Sequence, residues 1–92
     1  MKFNTHQIRI FENMLIYIED YDKRNLTYSE MVGSLEGSLD AGEFRDQEMI
    51  TAWYDCWGPL EIERATKGNS VDRDFVKKYI TQMRDFICEK IQ

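Results

Sequence analysis

Residues 26–42 read LTYSEMVGSLEGSLDAG and contain the clearest helix signal of the chain. Thr27 and Glu30 form a T-x-x-E capping box, in which each side chain accepts a hydrogen bond from a backbone N–H group at the open helix end. Gly42 suits the C-terminal cap, where a left-handed residue is preferred. Between the caps, apolar side chains recur at helical spacing on one face: Tyr28, Met31, Val32, Leu35 and Leu39. This pattern predicts an amphipathic helix over residues 28–41.

The segments before and after this helix show the same spacing. Residues 5–22 are predicted to form the first helix, with two adjacent apolar stripes that merge into one face: Ile8, Phe11, Leu15 and Ile18, beside Ile10, Met14, Tyr17 and Tyr21. Ser70 is predicted to cap the last helix. That helix has a clean apolar face: Phe75, Val76, Tyr79, Ile80, Met83, Phe86 and Ile87. No run alternates apolar and polar residues for long enough to predict a strand.

A third helix is predicted after Asp46, which can cap it. Its bulky face consists of Ile50, Trp53, Tyr54 and Trp57. Because a proline inside a helix removes one hydrogen bond and clashes with the preceding turn, we expect a kink at Gly58-Pro59, or an end near Trp57 and a restart at Pro59. The connections between segments are short. The sequence therefore predicts a single all-α domain over residues 1–92, a four-helix, mostly antiparallel bundle.

Charge is concentrated in the middle of the chain. The 92 residues carry 17 acidic and 12 basic side chains, and residues 36–63 hold eight of the acids against Arg45 as their only base. A net charge of −5 argues against unspecific nucleic-acid binding and against docking on anionic membranes. The longest apolar run, residues 14–18, is too short to span a bilayer, and the N-terminus lacks a signal-peptide pattern. We expect a soluble, cytoplasmic protein.

Signals for enzymatic chemistry are weak. Cys56 and Cys88 lie far apart in sequence, which is typical of reduced thiols rather than of a disulfide framework. His6 is the only histidine, and no metal-binding or phosphate-binding motif occurs. We expect no catalytic residue, no metal and no cofactor.

Two features of the third helix have alternative interpretations. Trp53 and Trp57 suit an interface anchor, but their helical spacing is more typical of a core face, which we favour. Glu61 falls on the same aromatic face, where a carboxylate must be paired or reach solvent. An ion pair with Arg64 is the favoured interpretation, and a carboxylate at a ligand cleft near the two tryptophans is the alternative.

The second helix carries a surface of small residues around Gly33 and Gly37. Glycine inside a helix costs about 0.5–1 kcal/mol relative to alanine, so two of them invite an explanation. Ordinary helix weakness and close approach of a second copy of the chain remain equally good interpretations. The second interpretation predicts a self-associating structural or regulatory homo-oligomer.

Residues 26–36, followed by residues 53–57 and 60–61, resemble a loose class of small, acidic, helical bacterial proteins, some of them similar to immunity proteins paired with secreted toxins. The resemblance covers about half of the chain and implies a partner-binding role. The leading hypothesis is a non-enzymatic protein-binding module, such as an antitoxin or immunity protein, that binds a basic partner. The candidate partner-binding residues are Glu36, Asp40, Glu43, Trp53, Trp57 and Glu61.

Overall fold

The structure is a computed structural model that describes residues 3–92, and it is a bundle of four α-helices. The helices are α1 (Thr5–Asp22), α2 (Tyr28–Ala41), α3 (Gln47–Lys67) and α4 (Arg73–Ile91), with a 3-10 turn over Gly68–Ser70. Residues 3–92 contain no strand. The predicted all-α class is confirmed, and the predicted bounds of α1 and α2 agree with the structure to the residue.

The helices enclose one apolar core. Around the bundle, α1 packs against α2 and α4, and α3 packs against the same two helices. Side-chain hydrogen bonds join neighbours: Gln7 Nε2 donates to Gly42 O over 3.1 Å, and Tyr28 Oη donates to Leu60 O over 2.8 Å. The largest fully buried side chains come from all four helices: Phe11, Met14, Ile18, Met31, Leu35, Trp53, Leu60, Met83 and Ile87.

The helix caps agree with the predictions at two of three predicted N-termini. In the capping box of α2, Thr27 Oγ1 accepts from Glu30 N over 3.1 Å, and Glu30 Oε1 accepts from Thr27 N over 2.9 Å. Asp46 caps α3 by accepting from Met49 N over 3.2 Å.

The predicted Ser70 cap of α4 is wrong. Asp72 caps this helix, because its Oδ1 accepts from Asp74 N over 2.9 Å and from Phe75 N over 3.3 Å. Ser70 belongs to the 3-10 turn, and the extended Val71 that follows it is buried against the core. Burial of Val71 therefore delays the start of α4 by two residues.

Gly42 ends α2 as predicted, but the predicted left-handed conformation is wrong. Its φ of −77° and ψ of −14° are right-handed, and the next residue, Glu43, takes the positive φ of 51°. A Cβ atom at position 42 would overlap the Phe44 ring. Glycine is thus needed here because an aromatic ring packs directly on the backbone.

Helix α3 runs without interruption through Gly58-Pro59, so the predicted split is wrong. Trp53 and Trp57 before the proline and Leu60 after it are all buried. Packing on both sides of Pro59 holds the two halves against one core, which outweighs the cost of about 3 kcal/mol for a proline inside a helix, from the lost hydrogen bond and the clash of the ring. The kinked alternative remains a prediction.

Candidate functional site

Two carboxylates of α2 lie beside a tyrosine of α3 where these helices pack together. Tyr54 Oη donates to Glu36 Oε2 over 3.3 Å, and Asp40 lies one turn further along α2. The pKa of Tyr54 is raised by burial first and then by the negative charges of Glu36 and Asp40. Both carboxylates therefore act on the same phenol. Together with the exposed Glu43, these residues form what we call the acidic surface.

The acids of this surface form no ion pair with any cation of residues 3–92. Within residues 3–92, the ion pairs use other acids: Glu19 with Lys23, Glu61 with Arg64, Glu63 with Lys67, and Asp22 with Arg84. No ion pair of this part of the chain involves Glu36, Asp40 or Glu43. As far as residues 3–92 are concerned, these carboxylates are therefore available to a cation from outside.

Two glycines leave the backbone beside these carboxylates without side chains. Gly33 precedes Glu36 by three residues and Gly37 precedes Asp40 by three, a spacing that makes them neighbours on a helix surface. A Cβ atom added at Gly33 or Gly37 would meet no atom of the described chain within 4 Å. The glycine pair therefore serves no close approach inside the bundle, and it exposes the backbone of α2 beside the acidic surface.

The two tryptophans are core residues. Trp53 is fully buried, and its ring stacks on that of Trp57 with centroids 5.9 Å apart and planes 19° from parallel. Trp57 Nε1 donates to Val32 O over 3.0 Å and so ties α3 to α2. Within residues 3–92, Trp53 Nε1 is buried without a hydrogen-bond partner. Neither indole is presented to a docking partner, and the partner-binding candidates that stay accessible are the acids.

Glu61 is held by its neighbour one turn along α3. Arg64 binds it with two nitrogens, Nε to one carboxylate oxygen and Nη2 to the other, the second bond measuring 3.2 Å. This bonding, followed by the attraction of the Glu61 charge, raises the pKa of Arg64. The favoured ion-pair interpretation is confirmed, and the Glu61 carboxylate is already occupied.

A cleft of about 180 Å³ lies between α1 and α4 and was not predicted from the sequence. Arg73, Lys77 and Arg84 line it together with Tyr21 and Asp22. Arg84 Nη2 binds Asp22 Oδ2 over 2.7 Å. The signal was present in the sequence, because positions 73, 77 and 84 fall within about 40° of each other on a helix.

Among residues 3–92, no group of three or more histidine, cysteine, aspartate and glutamate side chains is arranged to hold a metal ion. Cys56 and Cys88 are free thiols, and burial, with a smaller contribution from Asp55, raises the pKa of Cys56. No helix in the described part of the chain is long and apolar enough to cross a bilayer.

A comparison of the chain with protein-family models, curated proteins and solved structures finds no significant match. The resemblance to immunity-like proteins therefore remains a hypothesis.

Proposed function

We propose that the chain is a non-enzymatic protein-binding module whose acidic surface binds a basic protein partner in the cytoplasm. The observation that carries the proposal is the pair of carboxylates, Glu36 and Asp40, that both act on Tyr54 while no cation of residues 3–92 pairs with either. An antitoxin or an immunity protein is one biological form that such a module takes.

The physical basis is electrostatic. Glu36 and Asp40 lie one turn apart on one side of α2, and Glu43 follows just beyond the end of the helix. Lysines or arginines of a partner would relieve the repulsion among these charges and speed the first encounter. The Tyr54 ring and the bare backbone at Gly33 and Gly37 would let the partner approach closely once it has arrived.

The test compares two triple variants that change the net charge equally. The first reverses the acidic surface, Glu36→Lys, Asp40→Lys and Glu43→Lys, and the control reverses three exposed acids elsewhere, Glu12→Lys, Asp85→Lys and Glu89→Lys. Wild type and both variants are used to capture proteins from the host lysate, and the association rate of each captured protein is then measured at low and high salt.

We expect wild type and the control to bind the same basic protein, with a loss at high salt, and the first variant to associate about tenfold or more slowly. Equal association rates for the two variants would show that the acidic surface does not bind the partner.

The two alternatives from the sequence have weaker support. A small-ligand pocket at Trp53, Trp57 and Glu61 would need groups that are instead buried or bound to Arg64. A symmetric dimer through Gly33 and Gly37 would place the acidic surfaces of both copies side by side, where like charges repel.

A further inference from the structure

A second surface, on the side formed by α3 and α4, exposes apolar side chains. The large hydrophobic residues exposed in the described chain are Ile16 at 51%, Ile62 at 64% and Phe75 at 44%, and the last two belong to α3 and α4. At one end of this side, Lys67 Nζ of α3 lies 5.6 Å from the Phe75 ring centroid of α4. At the other end, Glu48 and Ala52 of α3 line one cleft with Lys90 of α4.

On α3 the apolar side chains lie near the Phe75 end of this side, whereas on α4 they continue towards Lys90. On α3, Pro59 and Ile62 lie within about 60° of each other on the helix surface. On α4, Phe75 and Tyr79 are in edge-to-face contact with centroids 5.9 Å apart, and Phe86 follows two turns later. We call these five residues the α3–α4 strip. Three of them, Pro59, Tyr79 and Phe86, are half-buried, and Ile62 and Phe75 are exposed.

Charges of opposite sign flank the strip. On the α3 side lie the exposed carboxylates Glu48 and Asp55. On the α4 side, Lys78 Nζ lies 5.2 Å from the centroid of Phe75 and 5.0 Å from that of Tyr79, and Lys90 Nζ lies 4.8 Å from that of Phe86. Lysines over aromatic rings extend the contact surface while keeping their charges available.

The side that holds the strip carries charges of both signs. Lys67 is paired with Glu63, with Nζ 3.3 Å from the carboxylate oxygen. The other charged groups on this side are mostly acidic: Asp46, Glu48 and Asp55 on or beside α3, and Asp85 and Glu89 on α4, against Lys78 and Lys90. A second copy that sets its α4 lysines against the α3 carboxylates would offset part of this negative charge.

We propose that two copies of the chain associate through their α3–α4 strips as a two-fold dimer. A two-fold axis parallel to the bundle places α3 of one copy against α4 of the other at the same height. Glu48 of one copy then faces Lys90 of the second copy, because both line the same cleft in the single chain, and Ile62 faces the aromatic rings of the second copy's α4.

The size of the bundle sets an upper limit on the area of this interface. The bundle measures 38 × 23 × 20 Å, so one long side offers an area comparable with the roughly 800 Å² per partner of standard protein interfaces. The inference goes beyond the proposed function, because it uses a different side of the bundle and a different partner.

The first test is the molar mass of the full chain in solution, measured by light scattering across a concentration series. Ile62→Glu is compared with Ile16→Glu, which makes the same change at an exposed isoleucine of α1 outside the strip. We expect wild type and Ile16→Glu to reach twice the monomer mass, and Ile62→Glu to need at least tenfold higher concentration. A wild type that stays monomeric, or equal behaviour of the two variants, would overturn the proposal.

The second test examines the orientation of the two copies. Glu48→Lys and Lys90→Glu should each weaken the dimer severalfold, and the double variant should restore it, since the exchanged charges again face each other. A double variant weaker than either single variant would refute the two-fold arrangement. The triple lysine variant of the acidic surface should dimerise like wild type, so a failure of the proposed function and a failure of the dimer give different results.

Discussion

Tyr54 is the single residue through which the acidic surface can be observed directly. Its pKa is raised by burial first and then by Glu36 and Asp40. Glu36→Gln removes one of these charges and should lower the pKa of Tyr54. The pKa is obtained by following tyrosinate absorbance against pH. The titration of the same protein with Tyr54→Phe is subtracted to isolate Tyr54. Glu43→Gln is the control, and a shift equal to that of Glu36→Gln would contradict the contact between Glu36 and Tyr54.

Tyr28 gives a second prediction, on stability. Its hydroxyl is buried and donates to Leu60 O over 2.8 Å, which joins α2 to α3 just after Pro59. Tyr28→Phe should lower the free energy of unfolding by about 1 kcal/mol, because the Leu60 carbonyl loses a buried partner. Urea unfolding measures this loss, and Tyr17→Phe, at a half-buried tyrosine of α1, should cost clearly less.

The same tyrosine predicts a pH dependence. Burial is the main cause that raises the pKa of Tyr28 in the folded chain above the ordinary value of about 10. Above that pH the unfolded chain has released the phenol proton while the folded chain keeps it, so the free energy of unfolding falls as the pH rises. Between pH 9 and about 11, Tyr28→Phe should therefore lose less stability than wild type in urea titrations, and parallel losses would contradict the prediction.

On the scale of helices, the two glycines within α2 and the glycine that caps it have different structural roles. Gly33 and Gly37 face open space, whereas a Cβ atom at Gly42 would overlap the Phe44 ring. Gly33→Ala and Gly37→Ala should each raise the free energy of unfolding by about 0.5–1 kcal/mol, and Gly42→Ala should lower it. Thermal unfolding of the three variants checks this. A loss of stability at position 33 or 37 would indicate an unrecognised close approach.

The helices also show which parts of the fold can be predicted from the sequence. The start of α2 follows from Thr27 and Glu30, whose capping signal lies within one turn, so local chemistry was enough to predict it. Ser70 and Pro59 misled the prediction because burial of Val71 and Leu60, which depends on the other helices, outweighs local preference. The contact between Glu36 and Tyr54 needs the register of α2 against α3, which no pattern within one helix contains.

On the scale of the whole molecule, charge is sorted by side. Residues 36–63 carry eight acids and one base, whereas residues 64–92 carry four acids and seven bases. The fold places part of the first group on the acidic surface and part of the second in the cleft between α1 and α4. A basic partner would thus approach from the α2–α3 side, which leaves the α3–α4 strip free for a second copy.

Closure of the bundle depends on how the last helix is joined to the first. The Arg73 guanidinium lies 4.2 Å from the ring centroid of Tyr21, and its Nη2 donates to Tyr21 O over 3.1 Å. Arg84 also reaches α1, but through an ion pair with Asp22 that lies at the surface. A stacked and hydrogen-bonded guanidinium should contribute more than an exposed ion pair, which is worth about 0–1 kcal/mol.

Arg73→Ala should therefore lower the free energy of unfolding by about 1–2 kcal/mol at every salt concentration. Arg84→Ala should cost less, and the cost should fade in high salt because solvent ions screen an exposed pair. Arg73→Lys should recover only part of the loss, since an ammonium group cannot stack on Tyr21 as a planar guanidinium does. Urea unfolding at low and high salt measures all three variants. Equal losses for Arg73→Ala and Arg84→Ala, both removed by salt, would mean that simple charge attraction closes the bundle.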